Sequence, residues 1–167
     1  AAAYFACVNA NGGINGRPIE YIVENDQWNP ELAGQVATKL VKDEGVVALV
    51  GNGSVVSMAV NAGLYKDEDV MVMASGCAIS ECYESSNIVS TNQGPLPSGI
   101  GALTYAVEEL GATNAACIGF NIPNNGGWAC DWMQDYMASK GLNGTSILMD
   151  PTAVDLNSVY LQAIAEG

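Results

Sequence analysis

NANGGINGRPIEYIVEND, residues 9–26, decides the fold by the order of its parts. Gly12, Gly13 and Gly16 follow an alanine-rich segment, AAAYFACVNA (1–10), with the composition of a helix end. After them PIEYIVEND alternates, with Ile19, Tyr21 and Val23 on one face, as in a β-strand. A phosphate-cradling loop needs the reverse order, strand then glycines then helix, because the helix N-terminus is what offers unpaired N–H groups to an anion. The stretch is therefore predicted to be a helix-to-strand turn, with Gly12 or Gly13 supplying the left-handed residue that ends the helix.

Outward from this turn, strand and helix signals keep alternating. Asn29 is a candidate N-cap, Pro30 suits the first helical position, and Leu32, Val36 and Leu40 fall at i, i+4 and i+8 on one face. VVALVG (46–51) has the composition of a buried strand, SVVSMAVNAGLY (54–65) has helical spacing, and VMVMAS (70–75) and NIVST (87–91) are two further strands. A Pro/Gly-rich break, NQGPLPSG (92–99), leads to a helix near 98–110. Beyond it come a strand AACIGF (115–120), a helix near 128–140, a strand TSILMD (145–150) and a last helix from about Leu156. This alternation calls for parallel sheets clothed by helices. Two α/β units are expected, 1–93 and 100–167, with a crossover at 94–99; the first lacks its first strand and the second is half present. Such a chain needs a missing part of itself to complete the fold and leaves apolar sheet edges exposed.

Lys and Arg number 5 against 18 Asp and Glu, a net charge of −13 that repels nucleic acid and anionic membrane. Histidine is absent, which removes the commonest general acid/base, the Ser-His and Cys-His couples and the commonest zinc ligand. Neither a metal site nor a cofactor is expected. The 5 cysteines form no C-x-x-C pair, and their odd number leaves at least one thiol free. Cys77 and Cys82 lie close enough in sequence to bridge in an oxidising compartment, or to remain apart; Cys117, in an apolar run, reads as small core filler. Asp131 with Asp135 reads as a solvated helix face, and Asp67, Glu68 and Asp69 lack the ligand ladder of a calcium loop.

In order and spacing, residues 4–54 resemble the type I extracytoplasmic (periplasmic) solute-binding proteins, the Leu/Ile/Val-binding family of ABC transporters. The elements that carry the resemblance are the helix ending in VNANGGINGR, the strand closing as VENDQWNP, the helix holding ATKLV, and VVALVGNGS. VMVMASGCAIS, STNQGP and ELGATNAACIGFN resemble the later strands and the crossover more loosely. The resemblance implies an α/β fold of two Rossmann-like lobes with parallel sheets. Lobe one is 1–93, the hinge crossover 94–99, and 100–167 the first half of lobe two. The implied protein is not an enzyme. It sits in the periplasm or outside the cell, with or without a lipid anchor, closes on a small solute, and hands it to ABC permease subunits.

Ligands of open parallel sheets bind beyond the C-terminal strand ends, where loops enter helices. Ser54 and Val55 in GNGSVVS are one such place, with Ser54 either touching a carboxylate or simply capping its helix. The loop Ser75, Gly76, Cys77, Ala78, Ile79 is the other; in the amino-acid-binding members it resembles Ser-Pro-Ala-Ala-Thr. Ile79 lacks the threonine hydroxyl, so carboxylate, amide or aromatic solutes compete with a branched-chain amino acid, unless Ser80 takes that role. In lobe two Asn125-Gly126 stands where the family commonly has Tyr-Gly, and Trp128 is the ring that would replace the tyrosine. Two other readings stay open: a ligand-sensing receptor module of the same fold, and an α/β nucleotide-binding enzyme, for which Gly51-x-Gly53 is a weak phosphate-loop match.

Overall fold

The computed structural model describes residues 1–152 and 155–166. Helix α1 (Ala2–Ala10) ends where the glycines begin. Gly12 and Gly13 take φ of 96° and 72°, and Ile14 and Arg17 then pair in a tight antiparallel bridge. Gly13 is held to glycine by space as well as by φ, since a Cβ there would lie 2.1 Å from the Arg17 carbonyl oxygen. The stretch is thus a turn, and the N–H groups of Gly12, Gly13, Ile14 and Arg17 are spent on closing it.

The strand expected after it is not formed: 18–26 joins neither sheet. Alternation fixes which way side chains point, whereas a strand also needs a neighbour for its ladder, and the sheet beside it has the order β1-β2-β3 without this segment. Side chains hold it instead. Asn9 donates from Nδ2 to the Ile19 carbonyl (2.8 Å) and accepts from the Ile19 N–H (2.7 Å), and the Tyr21 hydroxyl donates to the Val50 carbonyl (2.9 Å).

Asn29 caps helix α2 (Pro30–Thr38), accepting from the Leu32 N–H at 2.9 Å, and the helix runs on as a π-turn over Lys39–Asp43. Its buried stripe is Ala33, Ala37 and Val41, one position along from the expected Leu32, Val36 and Leu40, which are half-buried. Small residues win the interface because α2 lies against helix α3 (Val55–Asp67). Asn61 of α3, itself buried, donates to the Ala33 carbonyl at 3.2 Å and to the Ser57 carbonyl at 2.9 Å.

Strands β1 (Ala48–Asn52), β2 (Met71–Ala74) and β3 (Ile88–Ser90) form a parallel sheet in that order. Gly51, at φ 80°, is a bulge that shifts the register so that Asn52 pairs with Ala74. Val72 and Ile88 join Ala37, Val41, Tyr65 and Val70 in the main core; Met58, Ala74, Cys77 and Ile79 form a second cluster. The other sheet face is bare, with Met71 and Met73 each 43% exposed and Val89 46% exposed, although parallel sheets normally carry cover on both faces.

A one-turn helix α4 (Glu81–Glu84) precedes β3, and helix α5 (Pro95–Glu108) follows it. Residues 94–99, expected as the crossover, are the Gly94 cap and first turn of α5. Strands β4 (Asn114–Phe120) and β5 (Asn143–Met149) form a second parallel sheet against helix α6 (Gly126–Ser139), and α7 (Leu156–Glu166) closes the chain. Cys117 is not a lone core filler: it is bonded to Cys130, a pairing made possible because α6 folds back along β4. Gly119 and Gly126 meet at this crossing, where a Cβ on Gly126 would lie 2.3 Å from the Phe120 carbonyl oxygen.

Candidate functional site

Strands β1 and β2 end side by side, and the loops that follow β2 and β4 are joined where the two halves meet. At the end of β1 and at the end of 18–26 a short polar side chain turns the backbone back on itself. Asn52 Oδ1 accepts from the Ser54 N–H (3.0 Å), and Asp26 Oδ1 accepts from the Trp28 N–H (3.1 Å).

Ser54 sits at the start of α3. Its hydroxyl oxygen accepts from the Ser57 N–H at 3.0 Å and donates its proton to the carboxylate of Asp26, which is itself buried. A hydroxyl has one proton, so its donor capacity is already used, and capping is the established role of this side chain. Val55 begins the helix and packs on the cluster of Met58, Ala74, Cys77 and Ile79.

The loop after β2 is built outward from Ser75. Its N–H donates to the Asn52 carbonyl (2.9 Å), and its own carbonyl accepts from Thr91 Oγ1 (2.8 Å). The Cys77 N–H donates to Asn92 Oδ1 at 3.2 Å. Cys77 and Cys82 are bonded as a disulfide, and Cys7 is the free cysteine. Ser75 is exposed and Ala78 half-buried, whereas the side chains of Cys77 and Ile79 are 2% and 0% exposed and belong to the core. The missing hydroxyl at Ile79 thus reflects a core position.

From the other half, the loop before α6 reaches this one. Asn125 is buried and donates from Nδ2 to the Ala78 carbonyl at 2.5 Å. The Ser80 N–H donates to the Asn124 carbonyl at 2.9 Å, and Asn124 Nδ2 donates to Glu81. Asn124 adopts φ 56°, a left-handed conformation that asparagine tolerates. Trp128 lies against Tyr83, ring centroids 5.4 Å apart. The Tyr83 hydroxyl donates to the Gln93 carbonyl (3.0 Å), and partial burial pushes the phenol up from its ordinary pKa.

Of the residues singled out from sequence, the structure joins Ala78 to Asn125 and groups Val55 with Cys77 and Ile79; Ser54 and Ser75 are linked through Asn52. Asp26, Asn92 and Asn124 escaped notice, whereas Asn52, read with Gly53 and Ser54 as turning the chain into the helix, does so. The usable signal was an Asn or Asp closing an extended run, the position where such side chains bond to the backbone two residues on. Among the described residues no cluster of potential metal ligands occurs, and no helix is long and apolar enough to cross a membrane.

Two α/β units with parallel sheets, and the loops after β2 and β4 joined between them, define a bilobal binding-protein fold. The chain matches the periplasmic binding protein family over residues 1–167 and belongs to it, with the type I fold. Over 74 residues it is 32% identical to the leucine-, isoleucine-, valine-, threonine- and alanine-binding protein of Pseudomonas aeruginosa, a stretch that is 44% of this chain and 20% of that one. Its fold is similar to the fatty acid ABC transporter substrate-binding protein of Thermomonospora curvata: TM-score 0.79, 19% identity, 99% of this chain and 42% of that one. It is also similar to a solute-binding protein of an ABC transporter from Rhodopseudomonas palustris in complex with p-hydroxybenzoic acid: TM-score 0.77, 20% identity, 98% of this chain and 45% of that one. The chain therefore spans less than half the length of these relatives.

Proposed function

We propose that this chain is part of the extracytoplasmic solute-binding component of an ABC importer, with lobe one at 1–93, the hinge crossover at 94–99 and the start of lobe two at 100–167. The observation that carries the reading is the meeting of loops from both halves at the C-terminal strand ends, above all Asn125 with Ala78. A solute taken up there is enclosed when the lobes close, and the closed form is what the permease subunits receive. Ser75 and Asn125 supply polar side chains, while Ser54, its proton given to Asp26, fixes the start of α3; Val55, Cys77, Ala78 and Ile79 shape the wall and offer backbone, and Trp128 stiffens it against Tyr83. The disulfides Cys77–Cys82 and Cys117–Cys130 fit an oxidising, extracytoplasmic compartment. The chemistry is capture and release, with a small carboxylate-bearing solute as the cargo class common to relatives that bind amino acids, fatty acid or hydroxybenzoate.

A thermal-shift screen of the full chain tests this, using branched-chain amino acids, aliphatic acids, benzoates and small amides. A bound solute at ~100 times its Kd stabilises by about 2.7 kcal/mol, a rise of a few degrees in Tm. A flat response across all four sets would overturn the reading.

A further inference from the structure

Two aromatic pairs bridge the halves, and they are supported differently. Tyr83 and Trp128 sit on the edge that is fastened by the Asn125–Ala78, Ser80–Asn124 and Asn124–Glu81 hydrogen bonds. Trp28 and Phe120 form the other pair, with centroids 6.5 Å apart and planes at 81°.

Trp28 is unusual on three counts. It is 51% exposed, it has φ 57°, and Gln27 before it has φ 51°, so two successive side-chain-bearing residues are left-handed. Such a conformation persists where the surroundings impose it, and outliers of this kind cluster at ligand clamps. Here Asp26 imposes it: its carboxylate accepts from the Trp28 N–H (3.1 Å), and its carbonyl accepts from the Asn29 N–H (2.9 Å). Asn29 is in turn fastened as the cap of α2, and Asp26 is bonded to Ser54. Phe120 is equally fixed, as the last residue of β4, in register with Met149, and yet 38% exposed. Two rigidly mounted rings, one from each half, thus stand partly bare at the strand ends.

We infer that Trp28 and Phe120 are specificity-determining residues that close on a planar aromatic ring of the solute; this rests on the solute-binding reading above. The two rings meet each other edge to face, so a flat solute ring engages the bare outer surface of each, in the stacked and edge-on arrangements aromatics prefer. An alkyl chain gains contact area from the same walls but none of that directionality. The acid group is then held by the neighbouring polar loops, and the rings choose among acids.

The test is calorimetric Kd measurement on the full chain with benzoate and 4-hydroxybenzoate against octanoate and leucine, for the unmutated protein, Trp28→Ala, Phe120→Ala and Trp28→Phe. Trp28→Ala is expected to weaken the benzoates about 30-fold, as loss of a Trp anchor does, while moving the other two less than about 3-fold. Trp28→Phe should restore most of the benzoate affinity. Both rings are partly exposed, so the variants should melt like the parent. Equal weakening of all ligands would mean that the rings only hold the halves together, and no weakening would mean that they touch no solute; either overturns the inference alone. If the unmutated chain binds octanoate or leucine but neither benzoate, the inference also falls, whereas binding of nothing removes the solute-binding reading beneath it.

Discussion

The two halves solve the same problem, a parallel sheet under a helix, by different means. In the first, burial does the work: Met58, Tyr65, Val72 and Ile79 are at most 1% exposed, and the disulfide Cys77–Cys82 closes only a short loop at the edge of that core. In the second, α6 is brought so close to β4 that glycines must meet, and Cys117–Cys130 joins strand to helix directly. The difference teaches that a two-stranded sheet with little apolar depth is compensated by a covalent link and a close backbone approach.

Breaking each device separately sharpens the contrast. The largest effect is expected from Met58→Ala, which leaves a cavity at a fully buried site and should cost about 4 kcal/mol in urea unfolding of the full chain. Removing the second-half link as the double variant Cys117→Ser, Cys130→Ser should cost roughly 3 kcal/mol, because the bond closes a loop across a sequence separation of 13; reduction of Cys77–Cys82, separation 5, should cost about 2. An equal loss from both would contradict the division of labour. Gly126→Ala should cost about 2 kcal/mol through its backbone clash, whereas Gly127→Ala, whose Cβ would meet Leu148 at an ordinary 3.8 Å, should be neutral or slightly stabilising. Loss of the Ser54 hydroxyl in Ser54→Ala should cost about 1.5 kcal/mol, since it removes a cap and takes the donor from one oxygen of the buried Asp26 carboxylate.

The smallest effect concerns alkaline pH and touches the first half alone. Burial pushes the Tyr65 phenol up from its ordinary 10.0, against the opposing hydrogen bonds of Ser57 and Asn61. Below that value folded and unfolded chains both hold the proton; above it the unfolded chain releases its proton first, so stability falls as pH rises from about 10 towards the folded pKa. Tyr65→Phe should flatten that slope in pH-resolved urea melts.

Much of the fold was legible because its signals are local. The glycine turn at 12–13, the Asn29-Pro30 helix start and the β-branched runs at 46–51 and 70–75 each depend on neighbours within a few residues. Reading failed where a partner far along the chain decides. Residues 18–26 alternate like a strand and pair with none, and Leu32, Val36 and Leu40 yield the buried stripe to Ala33, Ala37 and Val41 because α3 comes close. Within the candidate site, Ser54 and Asn125 were visible as residues, but not that the first is bonded to Asp26 or the second to Ala78.

By itself, then, the sequence determined the order of most helices, strands and turns, the net charge of −13, and the family resemblance in 4–54. Only the tertiary structure decided that Cys117 finds Cys130, that Ile79 is core, and that Trp28 faces Phe120 across the halves. The physical reason is one of range: φ preference, capping and side-chain periodicity act over a turn or two of chain. Disulfides, ring pairs and inter-loop hydrogen bonds depend on which distant segments packing brings within a few ångströms.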